Sequence, residues 1–212
     1  LYESHAGPVR FGLRKDCLQL TDFRQKGIEI QMVYLFLADG FEEVEALTPL
    51  DYLRRVDEHN IATVGVYDTE VTGSHGVTLQ TDLHMDEISF DDIEMIILPG
   101  GMPGTKNLDK SDKLHDVIDY CAGGEIKIAA ICAAPSILGK KGLLDGRKAC
   151  CYPGFERELK GAKISKDAVE VDDNYITARG AGCAQQFAFT LVEELYGKDA
   201  AQKLMQQGGW ME

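Results

Sequence analysis

Apolar residues in this chain fall into short solid blocks separated by stretches that repeat at helical spacing. Val33–Leu37 is the first block and predicts a buried strand, and Ala38–Phe41 turns the chain. Glu42–Val56 follows as a helix, with Val44, Leu47, Leu50 and Leu53 assigned to one side. Pro49 inside it is expected to kink the helix or to close a first short piece. Ile61–Val66 predicts a second strand, and Val71–Gln80, broken by Gly73 and Gly76, a hairpin. A strong apolar strand at Ile93–Leu98 runs into Pro99-Gly100-Gly101. Leu108–Cys121 predicts an amphipathic helix. Lys127–Ile131 predicts a buried strand that ends at Cys132, and Ala134–Gly139 a short helix with Pro135 in its first turn. Lys148–Cys151 and Tyr175–Ala178 predict strands. Ala184–Tyr196 predicts a helix with Phe187, Leu191, Val192 and Leu195 facing inward, and Asp199–Gln207 a last helix.

Strands apolar on both faces and separated by helices imply an α/β fold: a doubly wound, mostly parallel sheet with helices on both faces. There is no internal repeat or low-complexity linker, so residues 32–212 read as one domain. Residues 1–31 carry mixed charge without a clear period and read as an N-terminal extension upstream of that domain. The alternatives are an extra helix or hairpin outside it, or a first strand lengthened by Ile28-Glu29-Ile30. In doubly wound sheets ligands bind beyond the carboxyl ends of the strands. Three loops leave strands there: Asp39 to Glu45, Pro99-Gly100-Gly101, and the turn at Cys132.

Composition narrows the function classes. The net charge of -13 repels phosphate backbones and anionic lipid, which disfavours nucleic acid and membrane partners. No apolar stretch approaches the ~18 residues of a membrane span. Six cysteines occur, at 17, 121, 132, 150, 151 and 183, without a CxxC pair or zinc spacing. Free thiols in a reducing cytoplasm, with no metal and no cofactor, are the expectation. Adjacent Cys150 and Cys151 are expected to be buried in a strand, and Cys121 and Cys183 to pack helices.

Cys132 has the setting of a nucleophile. A cysteine at a strand-to-helix elbow faces outward N–H groups and the positive end of a helix, which is expected to favour the thiolate. Glu42 and Glu43 suit a helix start. Glu45 lies further in, beside apolar Val44 and Ala46, where a carboxyl next to the sulfur has a raised pKa and shuttles protons. Gly101 and Ala133 supply backbone N–H groups for an oxyanion. None of the five histidines follows Cys132, and each reads as a surface or turn residue, which argues against a cysteine hydrolase. Arg179 either bridges a subunit contact or faces the pocket.

Four segments occur in a fixed order: Asp39-Gly40-Phe41-Glu42-Glu43-Val44-Glu45, Leu98-Pro99-Gly100-Gly101, Ala129-Ala130-Ile131-Cys132-Ala133-Ala134-Pro135 and Thr177-Ala178-Arg179-Gly180. Together they resemble the ThiJ/PfpI superfamily, in the branch of the parkinsonism-associated protein deglycase and its bacterial relatives. The resemblance spans residues 32–209. It implies a flavodoxin-like sandwich and a homodimer, with Cys132 as the reactive, oxidisable cysteine. It implies Glu45 as the carboxylic acid bonded to that sulfur, and Gly101 and Ala133 as backbone donors. Some relatives place a histidine where this chain has Tyr152, so a Cys–His dyad is not expected. Ala133 stands where the peptidase branch has histidine, which disfavours a protease.

The implied activity is a cysteine-dependent, glutathione-independent glyoxalase or deglycase. Its substrates would be α-oxoaldehydes such as methylglyoxal, or their early adducts with thiols and amines. The alternative is an oxidative-stress sensor or chaperone-like protein whose Cys132 is oxidised without turnover. Removing Glu45 is expected to preserve the fold, raise the Cys132 pKa or alter its oxidation, and abolish turnover.

Overall fold

A computed structural model describes residues 31–57 and 60–210. Residues 1–30, with Cys17 and the lengthened first strand, lie outside the described residues. Eleven strands alternate with six helices there. The strands are β1 (Met32–Leu37), β2 (Ile61–Gly65), β3 (Glu70–Thr72), β4 (Thr78–Gln80), β5 (Leu83–His84), β6 (Ile93–Leu98), β7 (Lys127–Ile131), β8 (Lys148–Ala149), β9 (Lys163–Ile164), β10 (Val169–Asp172) and β11 (Tyr175–Ala178). The helices are α1 (Glu43–Val56), α2 (Gly104–Leu108), α3 (Asp112–Gly123), α4 (Pro135–Lys140), α5 (Ala184–Tyr196) and α6 (Lys198–Gln207).

Seven strands form the main sheet in the order β10-β11-β7-β6-β1-β2-β5. All pairs in it are parallel except β10 with β11. Successive side chains on a strand point to opposite faces, and β1 divides accordingly. Met32, Tyr34 and Phe36 join a core with Leu114, Val117 and Ile137 from α3 and α4. Val33, Leu35 and Leu37 join the opposite core with Leu50, Phe187 and Leu191 from α1 and α5. Each large apolar side chain so buried contributes about 1.5–3 kcal/mol, which is why β1 is apolar throughout and β6 and β7 are apolar except at half-buried Glu94 and Lys127.

Four expectations require correction. The helix predicted from Leu108 is two helices, because Ser111 caps α3 by accepting the Leu114 N–H at 3.2 Å and the chain breaks before it. On α1 the buried residues are Glu43, Glu45, Ala46, Pro49, Leu50 and Leu53, while Val44 is 47% exposed. Ala46, Leu50 and Leu53 share a stripe at helical spacing, and Val44 falls off it. Of the two outcomes expected at Pro49, the one in which it closes a first short piece is overturned, because Pro49 sits inside a single helix. Cys183 lies in the turn before α5, where its sulfur contacts the carbonyls of Gly180 and Ala168 at 3.1 and 3.3 Å. By contrast, β3 and β4 form the expected hairpin, and β6, β7, β11 and α5 match their expected bounds.

From β1 the chain steps outward to β2 and β5 on one side and to β6, β7 and β11 on the other. The order therefore reverses between β1 and β6. Such a reversal opens a crevice beyond the strand ends. The three loops singled out in the sequence converge on this edge.

Candidate active site

Cys132 follows the last residue of β7 with φ 66°, a left-handed conformation that costs a non-glycine residue about 1–2 kcal/mol. Flanking hydrogen bonds impose it. Its N–H donates to the Ala178 carbonyl at 2.9 Å, and its carbonyl accepts the Tyr152 N–H at 2.7 Å. Both peptide groups are thus fixed by neighbouring segments, and the side chain is turned toward the β6–α2 loop. α4 begins three residues later with Pro135 in its first turn.

Glu45 reaches the same point from α1 and is 1% exposed. The Gly100 N–H donates to its Oε2 at 2.9 Å. Its carboxyl also hydrogen-bonds the Cys132 side chain and the Ala181 N–H. Gly100 must be glycine: a Cβ there would lie 2.6 Å from Cys132 Cβ, 2.7 Å from Glu45 Oε2 and 3.0 Å from the sulfur. Gly101 has φ 91°, and its Cβ would meet the Glu42 N at 2.4 Å. The two glycines thus let β6 approach α1 and the elbow at backbone distance.

Electrostatics couple the two acids. Burial raises the Glu45 pKa to about 7, with Glu42 adding repulsion and the bonds from Cys132, Gly100 and Ala181 opposing. Burial pushes the Cys132 thiol up to about 12, and the Glu45 charge and its hydrogen bond add to that rise. The Gly101 and Ala133 N–H groups bond the sulfur and pull the other way. The raised carboxyl agrees with the sequence expectation, whereas the free thiolate does not. α4 has only six residues, and its terminus is outweighed by burial and a neighbouring carboxylate. The expected effect of removing Glu45 on the thiol therefore changes sign, because the carboxylate raises the Cys132 pKa. In buried contact the pair resists carrying two negative charges, so it holds at least one proton across neutral pH.

The structure brings together Cys132, Glu45, Gly101 and Ala133. Arg179 is not among them, since its guanidinium donates to the Lys166 carbonyl at 3.2 Å. His84 caps a turn, His115 bonds the Asp109 carbonyl at 2.8 Å, and His75 bonds Glu43 Oε2 at 2.9 Å. His5 and His59 lie outside the described residues. Cys121, Cys150 and Cys151 are buried free thiols. Sequence reasoning did not assign the two groups that hold the carboxyl. The Gly100 and Ala181 N–H groups hold the carboxyl, and the only hint was their place in the glycine-bearing segments. Tyr152, half-exposed, sets its ring 3.2 Å from where a Gly180 Cβ would be, and Glu45 Oε1 lies 3.7 Å from that same point. Both side chains therefore border Gly180. Glu42, Glu43 and His75 have ligand atoms within 4.8 Å of one another, but the His75 hydrogen bond to Glu43 and its 3.6 Å ion-pair contact with Glu42 already account for that grouping.

Comparison with known proteins identifies relatives of the chain and of its fold. The model of the DJ-1/PfpI family matches residues 31–194. Protein DJ-1 homolog B of Arabidopsis thaliana is 34% identical over 199 residues, covering 93% of this chain and 45% of that protein. The chain thus spans about half the length of that relative. A protein named deglycase from Pyrococcus abyssi is 30% identical over 152 residues, 71% of this chain and 90% of its own. A solved structure described as Toxoplasma gondii DJ-1, oxidized, superposes with a TM-score of 0.79 at 32% identity, covering 84% of this chain and 97% of that one.

Proposed function

Because the chain belongs to the DJ-1/PfpI family, we propose that it is a cysteine-dependent, glutathione-independent enzyme of the deglycase or glyoxalase type. One observation carries the reading: the buried Glu45 carboxyl, anchored by the Gly100 N–H at 2.9 Å, meets a strained, half-buried cysteine at the elbow after β7, and burial raises its pKa. That arrangement suits proton transfer at a thiol that adds to a carbonyl. The archaeal relative named deglycase supports the same class.

With methylglyoxal the steps balance without an external oxidant. Cys132 adds across the aldehyde, forming an S–C bond while its proton passes through Glu45 to the oxygen. Glu45 then takes the proton from the former aldehyde carbon and returns it to the neighbouring carbon, while the hydroxyl proton passes to the former ketone oxygen, giving a lactoyl thioester. The Gly101 and Ala133 N–H groups stabilise the oxyanion. Water cleaves the thioester, releasing lactate and restoring the thiol. On early adducts with thiols or amines the same pair would release the free thiol or amine as well. A homodimer in a reducing cytoplasm is part of this reading, with α-oxoaldehydes or their adducts as partners and no nucleic acid or membrane. No helix among the described residues is long and apolar enough to cross a membrane.

Oxidation of Cys132 to a sulfinate is the second reading. The donors that would hold a hemithioacetal oxygen also fit a sulfinate oxygen, and the Toxoplasma relative is described as oxidised. Lactate formation from methylglyoxal without glutathione, by wild type and Cys132→Ser, separates the two. Turnover lost in the variant supports the enzyme. No turnover by protein with Cys132 verified as reduced, together with selective peroxide oxidation at that residue, supports the sensor.

A further inference from the structure

Two thiols that take no part in the thiol addition share one acceptor. The Ala168 carbonyl oxygen lies 3.3 Å from Cys183 Sγ and 3.9 Å from Cys150 Sγ. The two sulfurs are therefore no farther apart than the sum of those distances. Each also meets a carbonyl of its own, Thr177 at 3.2 Å for Cys150 and Gly180 at 3.1 Å for Cys183. The segments that bring them together are separate in the chain. Cys150 follows β8, and its N–H donates to Thr177 Oγ1 on β11 at 3.0 Å. Cys183 ends the one-turn helix Ala181–Cys183 before α5. Cys151 is not part of this pair. It joins Ala149 in the core beneath α3 and α4, while Cys150 turns to β11 and Ala168.

Burial gives the two sulfurs different parts. Cys150 is fully buried, and that burial pushes its thiol up to about 11, against the Thr177 hydrogen bond and with the neighbouring Cys183 adding to the rise. Cys183 is half-buried, and its sulfur accepts the Gly180 N–H at 3.4 Å. A small oxidant therefore meets Cys183 first, and Cys150 waits behind it as the second thiol. Such a pairing of an accessible cysteine with a buried neighbour is what converts a first oxidation into a disulfide instead of a higher sulfur acid.

We propose that Cys150 and Cys183 form a reversible disulfide under hydrogen peroxide, a redox site separate from Cys132. The Cys183 sulfur attacks one peroxide oxygen, the O–O bond breaks, and the thiol proton leaves with the other oxygen as water, giving a sulfenic acid. The Cys150 sulfur then displaces that hydroxyl, which departs with the Cys150 proton as a second water, and the S–S bond forms. Two thiols and one peroxide thus give one disulfide and two waters. A dithiol reductant reverses the bond by exchange. The full chain carrying Cys132→Ser is treated with graded hydrogen peroxide, its remaining thiols are blocked with iodoacetamide, and unreduced tryptic peptides are mapped by mass spectrometry. The expected product joins the peptide of Cys150 and Cys151 to that of Cys183 within one chain. It is lighter than the two separate peptides by two hydrogens, and fragmentation between the adjacent cysteines assigns the bond to Cys150. Dithiothreitol added before the block returns both thiols to alkylation. In Cys150→Ser the same treatment leaves a sulfenic acid at Cys183 that dimedone traps. Sulfinate at Cys183 without any linked peptide overturns the proposal. So does a Cys183 bond to Cys151 or to a second chain, or the absence of the Cys150–Cys183 peptide at every peroxide dose that leaves the protein folded. The mapping keeps both native thiols, so it decides the matter even where Cys150→Ser fails to fold.

Discussion

Replacing Glu45 by Gln removes a titration and leaves the side chain's shape. In the unfolded chain the carboxyl titrates near 4.5, and in the fold near 7. Between those values the folded protein keeps a proton that the unfolded chain has lost. Stability from this group is therefore fully present below about pH 4.5 and is lost as pH rises toward 7. Two and a half pH units at 1.36 kcal/mol each amount to about 3 kcal/mol. The glutamine Oε1 can still accept the Gly100 N–H, so that bond survives. Glu45→Gln is therefore expected to match the wild type near pH 4 and to exceed it by up to about 3 kcal/mol near pH 8. Urea unfolding across that range, with unchanged m-values, measures the difference. Groups remote from Glu45 titrate alike in both proteins and cancel. Parallel stability profiles for the two proteins would show that burial does not raise this carboxyl, and the proton-transfer argument would lose its base.

Three further outcomes follow from the same geometry. Above neutral pH, Glu45→Gln removes a like charge in contact with the sulfur, about 4 kcal/mol at 4 Å and an effective dielectric of 20, so iodoacetamide alkylation of Cys132 speeds up toward a thousandfold. Aldehyde turnover in the same variant falls by about 10²–10⁴, and slower alkylation would contradict the coupling. Gly100→Ala forces its Cβ to within 2.7 Å of both Cys132 Cβ and Glu45 Oε2; a loss of about 1–3 kcal/mol in urea unfolding and about a hundredfold in kcat/KM is expected. Gly123→Ala, with nothing within 4 Å, serves as the control. Cys132→Gly relieves the φ of 66°, so it should be more stable than Cys132→Ala by about 1–2 kcal/mol in the same assay, and equal stability would mean the elbow stores no strain.

How far the sequence speaks depends on whether a signal is local. Ile93–Leu98, Lys127–Ile131 and Tyr175–Ala178 were legible because a strand buried on both faces admits little but apolar residues. β5 has two half-buried residues, and β10 is half-buried or exposed throughout, so neither leaves a period to find. Cys132 was legible because its elbow is built from consecutive residues. Glu45 gained its weight from the ordered family segments, since nothing in the neighbourhood of Val44 and Ala46 reports that α1 turns this carboxyl under β6. The sign of the Cys132 shift was misread for the same reason. A helix start is visible in sequence, but burial and a charge 87 positions away are not.

That misreading bears on mechanism. A free low-pKa thiolate would be ready for peroxide and would need no partner. Here the thiol is high, the carboxyl is near neutrality, and the two share hydrogen bonds in a site where full ionisation is opposed. In the proposed thiol addition, sulfur nucleophilicity depends on proton transfer to Glu45 at the moment of addition. An addition that later returns the proton uses Glu45 twice, once at sulfur and once at carbon. Simple peroxide oxidation needs the sulfur alone and is slowed by the same carboxylate. The Glu45→Gln variant thus drives the two readings in opposite directions: faster reaction of the bare sulfur and slower turnover of the aldehyde. A site that only held an oxidised sulfur would use the protonated carboxyl as a donor and would not need its anion. A site that moves protons between sulfur, oxygen and carbon does, and the destabilisation expected near pH 8 is the thermodynamic trace of holding it there.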